Sequence, residues 1–480
     1  MKKILFAFLL VGVNGTCHAA FQEFYMISGG SDTNSGSTTD LAAPVATTNG
    51  SWASPFLNRF VAASGTPFSG TSVGQFAAIS SDSATGAVYV SSIVAVDAGG
   101  TYIDVDTTTI AWGTAPSAST IRRTCKIGGA WAGRPVIVSL FASKTVPTST
   151  RVNIKAGTYA NAANIVTFGS SGGNGNLLWW RGYKTTPGDQ DTNANAVAGT
   201  DIPIFTFTTT GEMTVSGANQ IFSNIVSSCN VTSGTSCLDP RAANLTFYRF
   251  RVYNSSTAAT GIALAQNSAA SNLLLQSCYI QASTVATNAL QNSGSAQDYV
   301  IGCTIVGGST TVSGAGAGSL FYRNFVYASG VHAFNVGNVG GIYLDNSIYG
   351  PGGDGFRIPL APTQGVVIVN NYLENVNGAN STAAINLVVS SNTLHISGNA
   401  YYNCTLNKST SILEGFAPYD NGTLTDSAFT SPTTQNFSLK PVGKNIAFPS
   451  TFENLPNMSS SYLDVGAAQA TRDSSFTFGN

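Results

Sequence analysis

Five polar residues in the C-terminal half of the chain have the side chains that acid–base chemistry requires. They occur in three short apolar segments, VHAFNVG, DGFRIPL and AAINLVV, and they are His332, Asn335, Asp354, Arg357 and Asn386. If these segments are stacked strands, Asn335, Arg357 and Asn386 point outward one above another, and His332 and Asp354 fall in register on neighbouring strands. A carboxylate beside an imidazole and a guanidinium could hold the carboxylate of an acidic sugar and exchange a proton with it. We therefore take His332, Asp354 and Arg357 as candidate catalytic residues and Asn335 and Asn386 as candidate binding residues.

The same residues also allow a structural interpretation. In GGDGF, Asp354 can cap the backbone amides of a tight turn, and a single arginine on a strand, such as Arg357, is commonly just solvated. The clustered acids of a sugar hydrolase and the several carboxylates of a calcium-dependent lyase are both missing, and Glu374 stands alone. Catalysis and simple binding therefore both stay open.

Metal binding is not expected. GSDTNSG spaces Asp32 and Asn34 as a calcium loop does, but it lacks the distal carboxylate that gives such loops their affinity. We interpret this segment as a turn stabilised by Asx side chains and leave calcium near Asp32 as the alternative. No cysteine pair has the spacing of a zinc site.

The elements that must position these residues repeat along the chain. Segments similar to YLDNSIY recur at intervals of 21 to 28 residues, and aligning them gives one central position occupied, in order, by Asn224, Phe250, Cys278, Cys303, Asn324, Asn346, Asn371 and Asn399. The position two places further on is apolar in all eight segments. A repeat of two short strands around a corner describes the coils of a solenoid.

An asparagine at this corner has a physical reason. Its backbone could bend through the left-handed region, and its amide could bond to the asparagine one coil away, for about 1 kcal/mol per bond. Cys278 and Cys303 replace two adjacent members of the ladder, and stacked strands lie about 4.8 Å apart. They could form a disulfide or stay a pair of buried thiols.

Leucine-rich repeats have a similar period, but they need leucine-dense strands and often a returning helix. Returns such as YGPGGDG and VNGANSTA are too rich in Gly and Asn for a helix. We therefore predict an all-β fold, a right-handed parallel β-helix, with the hand taken from the general bias of parallel crossovers.

Aromatic residues flank the corner strand at outward positions. Such residues on a rigid sheet could stack against sugar rings or anchor a protein partner, or they could stack on one another. The candidates for binding are Tyr253, Tyr279, Tyr327, Tyr349, Tyr372 and Tyr402, with Phe325 beside them.

The start of the chain and its composition indicate export. MKKILFAFLLVGVNGTCHAA has the basic start, apolar run and small residues of a signal peptide, with cleavage expected after Ala19. Charged residues make up 9% and apolar residues 43% of the chain, which predicts a folded, turn-rich β-protein. The net charge of −1 predicts that nucleic acid and membranes are not partners. The even number of cysteines after cleavage favours disulfides, with Cys229 and Cys237 the simplest pair.

Several segments resemble the pectate-lyase-like superfamily of single-stranded right-handed parallel β-helices, in its exported bacterial or phage-associated branch. They are FYMISGGSDTNSGS with SWASPF near the start, RVNIKAGTYA and LLWWRGYKT as early coils, and DSAFTSPTTQNFSLKP near the end. The resemblance implies that substrates lie along the face made by the first strand of each coil. It implies no single activity, because this fold carries lyases, hydrolases, epimerases, adhesins and viral spikes.

One stretch departs from this resemblance. GAVYVSSIVAVDAGGTYIDVDTTT alternates strictly around AGG and predicts a hairpin inside an inserted subdomain. The expected organisation is a signal peptide at 1–19, an entry segment at 20–65, the inserted β-rich subdomain at 66–143, the β-helix at 144–410 and a capping segment at 411–480.

Three functions are compatible with the sequence. The first is a secreted or surface-exposed β-helix that binds extracellular polysaccharide or a cell-surface partner. The second is a polysaccharide lyase or glycoside hydrolase acting on an acidic glycan. The third is a phage-derived spike or fibre, which predicts a trimer and which the signal peptide disfavours.

Overall fold

The computed structural model describes the chain from residue 21 to residue 439 with internal gaps. The gaps are residues 31–34, 37–42, 54–57, 81–87, 107–122, 132–144, 147–148, 163–164, 170, 174–175, 194, 210, 232–235, 259, 284–285, 293–296, 315–317, 329, 338–339, 351, 360–361, 363–364, 380, 389–393, 410–421, 424–426, 428 and 432–435. The predicted signal peptide lies outside the described residues, as do Asp32 and Asn34 of the predicted Asx turn, for which calcium was the alternative. In the part that is described, no helix is long and apolar enough to cross a membrane.

Three parallel sheets run along the molecule and are named here by their order within each coil. The first sheet contains Gln22–Met26, Thr150–Lys155, Leu178–Tyr183, Gln220–Ser223, Leu245–Tyr248, Leu274–Gln276, Tyr299–Ile301, Leu320–Tyr322, Gly341–Leu344, Val366–Val369 and Leu394–Ser397. The second contains Gly157–Ala162, Pro203–Thr209, Val226–Val231, Arg251–Asn254, Tyr279–Ala282, Thr304–Val306, Phe325–Tyr327, Ser347–Tyr349, Tyr372–Glu374, Ala400–Tyr402 and Gly422–Thr423. The third contains Val166–Phe168, Met213–Val215, Ser236–Pro240, Ile262–Gln266, Asn288–Asn292, Thr310–Ser313, His332–Asn335, Phe356–Ile358 and Ile385–Leu387.

Each sheet is built by pairing every strand with the equivalent strand of the next coil. In the described chain, nine coils each contribute one strand to each of the three sheets, and every strand pairing between neighbouring coils is parallel. This confirms the all-β parallel solenoid expected from the repeat. Two further short strand pairs lie outside the three long sheets: Thr145–Val146 with Ser171–Gly172, and Phe429–Ser431 with Asn436–Leu439.

The core is a set of columns in which like side chains stack from coil to coil. Phe321 and Tyr343 stack with ring centroids 5.1 Å apart and planes 10° apart, and Phe334 and Phe356 stack at 4.9 Å and 11°. All four rings are at most 1% exposed. Because successive residues of a strand face opposite ways, the neighbours of these rings face outward, which places Asn335 and Arg357 on the surface of the third sheet.

The corner between the first and second sheets differs from the expectation in one respect. The residue that bends through positive φ is the one before each ladder position: Asp345 has φ 54° and Asn370 has φ 55°, whereas Asn346 and Asn371 are not in this region. The ladder asparagines are therefore free to face inward, where Asn346 and Asn371 are fully buried. The left-handed corner itself is occupied by varied residues, including Arg323 and Ser277.

The same register corrects the alignment of Asn224. Phe222 pairs with Phe247 and Val226 pairs with Arg251, so Asn224 stacks on Arg249 and not on Phe250. Its φ of 56° matches that of the bending residue, and its side-chain amide donates to Asp191 Oδ1 at 3.0 Å. Asn224 is therefore the corner residue of its coil and not a member of the inward ladder.

The cysteines behave in two ways. Cys229 and Cys237 form the predicted disulfide, with Cα atoms 5.4 Å apart. Cys278 and Cys303 are buried free thiols that continue the ladder, because the backbone N–H of Cys278 donates to Cys303 Sγ at 3.4 Å.

A closed antiparallel barrel lies in the chain between the first two strands of the first sheet. Its six strands are Ala46–Trp52, Arg59–Ala62, Phe76–Ser80, Val88–Val96, Tyr102–Val105 and Arg123–Ile127. The predicted hairpin around AGG pairs Val96 with Ile103. Two of the six strands precede Thr66, so the barrel begins earlier in the chain than the insertion expected from the sequence. Its Phe76 contacts Phe24 of the first sheet at 5.1 Å between ring centroids.

Candidate functional site

The outer face of the third sheet carries a column of polar side chains. In this sheet Gln291 pairs with Ser313, Ser313 with Asn335, Asn335 with Arg357, and Arg357 with Asn386. Nearer the N-terminus, the same column contains Thr167, Thr214 and Asp239 in register. The structure therefore brings Asn335, Arg357 and Asn386 into one line, as the spacing of their segments indicated.

A groove of about 600 Å³ opens on this face at the last coils. We call it the C-terminal groove. Its lining includes the polar side chains of His332, Asp354, Arg357 and Asn386 and the apolar side chains of Val388 and Leu406. His332 and Arg357 are in direct contact, with His332 Nε2 lying 3.1 Å from Arg357 Nη1.

Asp354 also lines the groove, and its carboxylate makes structural hydrogen bonds. Its Oδ1 accepts hydrogen bonds from the backbone N–H groups of Thr382 at 2.8 Å and Ala383 at 3.2 Å, and its Oδ2 accepts from Asn386 Nδ2 at 2.8 Å. Only 2% of Asp354 is exposed. The carboxylate thus fastens one coil to the next, and its oxygens are occupied by donors of the protein.

His332 is a neutral group at ordinary pH. Burial lowers the pKa of His332 below its usual value and the charge of Arg357 lowers it further, while the charge of Asp354 opposes both effects. Its Nδ1 accepts a hydrogen bond from the backbone N–H of Asp354 at 3.1 Å. A neutral imidazole has a single acceptor nitrogen, so in this tautomer Nε2 carries the proton and gives Arg357 no negative partner.

Arg357 differs from five other arginines of the described chain. Five arginines lie within 4 Å of a carboxylate oxygen, namely Arg59, Arg151, Arg181, Arg241 and Arg323. Within the described residues, Arg357 has no carboxylate at that distance, and its polar neighbour is the imidazole of His332. Arg357 therefore lines the groove without a carboxylate in direct contact, and the Asp354 carboxylate of the same lining is bonded to donors of the protein.

The two asparagines of this face have different surroundings. Asn386 is only 8% exposed because its amide bonds to Asp354, so it supports the site from below. Asn335 is half-buried one coil before Arg357, and its Oδ1 has no donor among the described residues.

The aromatic residues proposed for binding lie on the second sheet and largely contact one another. Tyr253 and Tyr279 have ring centroids 5.4 Å apart, and Tyr327 and Tyr349 stack at 5.5 Å and 20°. Phe325 and Tyr402 are half-buried.

Tyr372 is fully buried, which removes it as a surface contact. Its hydroxyl donates to Glu374 Oε2 at 2.7 Å, and Ser427 donates to the same oxygen at 2.8 Å. Residues C-terminal to the last coil thus reach this part of the second sheet, which the sequence pattern did not indicate.

A second cluster on the third-sheet face was not found from the sequence. Arg241 donates to Asp239 Oδ2 at 2.6 Å and to Glu212 Oε1 at 3.0 Å, and both acids are buried. Burial raises the pKa of Glu212, and the charge of Asp239 adds to this effect. Burial also raises the pKa of Asp239. Glu212 and Asp239 lie in different coils, 27 residues apart in sequence, so only the register of the third sheet brings them together.

Comparisons with known proteins give fold similarity alone. No family model matches the sequence, and no curated protein matches it. The chain is similar to the solved structure of pectate lyase Pel9A, with a TM-score of 0.46 and 12% identity over 66% of this chain and 87% of the other. It is also similar to the PL6 family alginate lyase AlyGC, with a TM-score of 0.33 and 11% identity over 64% and 58% of the two chains. For the PL6 family polysaccharide lyase Pedsa3628 from Pseudopedobacter saltans, the TM-score is 0.32 and the identity 10%, over 69% and 96%. These values are low, and we base the fold on the strand pairing of the chain itself.

Proposed function

We propose that the protein is exported and binds an acidic polysaccharide along the outer face of the third sheet, with Arg357 as its anion contact in the C-terminal groove. The observation that carries this proposal is the guanidinium of Arg357, which lines a groove of about 600 Å³ beside the imidazole of His332. The carboxylate in the same lining, Asp354, is bonded to donors of the protein. Arginine binds planar carboxylates through two parallel hydrogen bonds, which suits the uronic acids of such polymers.

The rest of the face is suited to a long, uncharged polar ligand backbone. The column from Gln291 to Asn386 supplies hydroxyl, amide and guanidinium groups at the regular spacing of adjacent strands, about 4.8 Å. Sugar hydroxyls pair with such groups as donors and as acceptors. Export is supported by the basic and apolar start of the sequence and by the Cys229–Cys237 disulfide.

The test is a binding measurement on a panel of acidic polymers, namely alginate, polygalacturonate and xanthan, with dextran as the neutral control. We expect the protein to bind at least one acidic polymer and not dextran, and Arg357→Ala to weaken binding roughly 10- to 100-fold, the value of a charge-assisted hydrogen bond. Arg323→Ala is the matched control, because Arg323 is 3.9 Å from Asp345 on another face. Equal binding by Arg357→Ala, or no binding to any acidic polymer, would overturn the proposal.

A second candidate function is catalysis on the same polymer. It is supported by the Glu212, Asp239 and Arg241 cluster, since an acid of raised pKa keeps its proton to higher pH than an ordinary carboxyl and can act as a proton donor. Incubation with the polymers would then release unsaturated or reducing ends, and Glu212→Gln would abolish that release without affecting binding at Arg357. Binding without any such product would exclude this second function.

A further inference from the structure

Part of the lining of the C-terminal groove is apolar and exposed. Val388 and Leu406 are each 50% exposed, and both line the groove. Isolated exposed aliphatic residues are ordinary on protein surfaces, but these two come from separate segments and meet at one site.

Both residues are held in place by backbone hydrogen bonds to the third sheet. The N–H of Val388 donates to the carbonyl of Ile358 at 3.0 Å, directly after Arg357 in the strand. The carbonyl of Leu406 accepts from the N–H of Ala384 at 2.7 Å. Val388 and Leu406 are therefore fixed parts of the groove, and their positions relative to Arg357 are set by these backbone hydrogen bonds between coils.

The chemistry of the lining side chains indicates which class of ligand the groove binds. Branched aliphatic side chains offer no hydrogen bond to a sugar hydroxyl and no flat ring for stacking on a sugar face. They favour a small apolar group, since burying each methyl or methylene improves affinity about fourfold. The guanidinium of Arg357, in the same lining, favours a carboxylate.

We infer that the C-terminal groove binds an acidic sugar that also carries a small apolar substituent, as in an O-acetylated uronic acid, with the carboxylate on Arg357 and the acetyl methyl on Val388 and Leu406. This inference rests on the proposed function and adds the class of acidic glycan. An O-acetyl group keeps the sugar anionic while it replaces one hydroxyl by an ester with an exposed methyl group. Such a sugar therefore offers a carboxylate to Arg357 and a methyl group to Val388 and Leu406 in one groove.

The test compares each polymer with its own de-O-acetylated form. O-acetylated alginate and O-acetylated xanthan are measured before and after mild alkaline removal of the acetyl groups, by calorimetry or affinity electrophoresis. We expect the unmodified protein to bind the acetylated form about fourfold to tenfold more tightly. The double variant Val388→Ser and Leu406→Ser should lose this preference and retain the affinity for the de-O-acetylated form.

Two controls separate this inference from the proposed function. Ile165→Ser removes an equally exposed aliphatic residue, 52% exposed and outside the groove, and should keep the preference. Arg357→Ala should weaken both forms of a polymer alike. Equal affinity for both forms, or a preserved preference in the double variant, would overturn the inference and leave anion binding intact, whereas no binding to either form would overturn the proposed function.

Discussion

Asn346 Oδ1 accepts two hydrogen bonds from Asn324, one from its backbone N–H and one from its side-chain Nδ2, both at 3.0 Å. The amide of Asn346 repeats the same arrangement with Asn371 and also donates to the carbonyl of Phe321 at 2.9 Å. Each ladder asparagine therefore links the corners of two successive coils by hydrogen bonds. The side chain is uncharged, so the solenoid interior holds it without burying a net charge.

Replacing Asn346 by Ala should destabilise the solenoid. The change leaves the buried N–H of Asn324 without an acceptor, at a cost of about 1–3 kcal/mol for each such donor. We expect a lower melting temperature in circular dichroism with the β-sheet spectrum retained below the transition. Asn230→Ala, at an exposed strand position, is the control and should melt like the unmodified protein. Equal melting of the two variants would show that the ladder adds nothing to stability.

Asp354→Ala should lower stability, whereas Asp354→Asn should preserve most of it. Alanine leaves two backbone N–H groups and the Asn386 amide without their acceptor, a loss of about 2 kcal/mol or more, while asparagine keeps one acceptor oxygen. Thermal melts and polymer binding are measured on both variants. We expect Asp354→Asn to bind acidic polymer with unchanged affinity, since Asp354 is only 2% exposed. Loss of binding or of turnover at full stability would instead restore Asp354 as a catalytic residue.

The imidazole of His332 should titrate below its ordinary value of 6.5. Burial and the charge of Arg357 both lower the pKa of His332, so removing that charge in Arg357→Ala should raise it. A bound polymer carboxylate on Arg357 should also raise the pKa of His332. NMR titration of the histidine ring protons measures these changes, and His395→Gln identifies the His332 signal. An unchanged titration in Arg357→Ala would contradict the contact between the two side chains.

The pKa of Glu212 predicts how stability depends on pH. Because this pKa is raised by burial, the folded protein holds the proton at pH values where the unfolded chain has released it. The contribution of Glu212 is therefore most favourable below its unfolded pKa, and it is lost as pH rises through the raised folded pKa. Glu212→Gln should remove this loss, so in thermal melts at a series of pH values the variant should gain stability relative to the unmodified protein as pH rises above the ordinary carboxyl pKa.

Asp189 provides a control of opposite sign. Partial burial raises the pKa of Asp189, but hydrogen bonds from the backbone N–H groups of Lys184, Thr185 and Thr186 outweigh it and the pKa is lowered. Its stabilisation is present above the unfolded pKa and is lost as pH falls through the folded one. In melts extended to lower pH, Asp189→Asn should lose stability relative to the unmodified protein as pH rises towards 3.8, the ordinary pKa, and the difference should stay constant above it. Parallel behaviour of the two variants would contradict the assignment for Glu212.

Alkylation should distinguish the cysteines. When the protein is unfolded without reductant and treated with iodoacetamide, we expect peptides containing Cys278 and Cys303 to be labelled and those containing Cys229 and Cys237 to be unlabelled. Mass spectrometry before and after reduction gives the comparison. Labelling of Cys278 and Cys303 only after reduction would mean that the ladder thiols pair in the exported protein.

The sequence predicted the architecture because the period of the repeat is visible in one dimension. The column of Asn335, Arg357 and Asn386 followed directly from that period. Asn224 was misaligned because Asn suits both the bending residue and the ladder residue, and the apolar residues around it fit either register.

Other features depend on contacts that no local pattern contains. Tyr372 looked like a surface aromatic, yet it is buried with Glu374 and the distant Ser427. Glu212 and Asp239 come together only through the exact loop lengths of their coils. The role of Asp354 lies between the two early interpretations, since it caps amides as a turn residue does, but the amides belong to the next coil.

The barrel near the N-terminus bears on how the first coil of the solenoid is covered. Two barrel residues, Phe76 and Val90, belong to the same buried cluster as Phe24 and Val152 of the first coils. The barrel therefore covers the end of the apolar interior. A stack of parallel strands has two open ends, and each would otherwise template the next molecule into a fibre. Growth from this end is obstructed by the barrel, which lets the chain expose long regular sheets on its flanks without polymerising through its first coil.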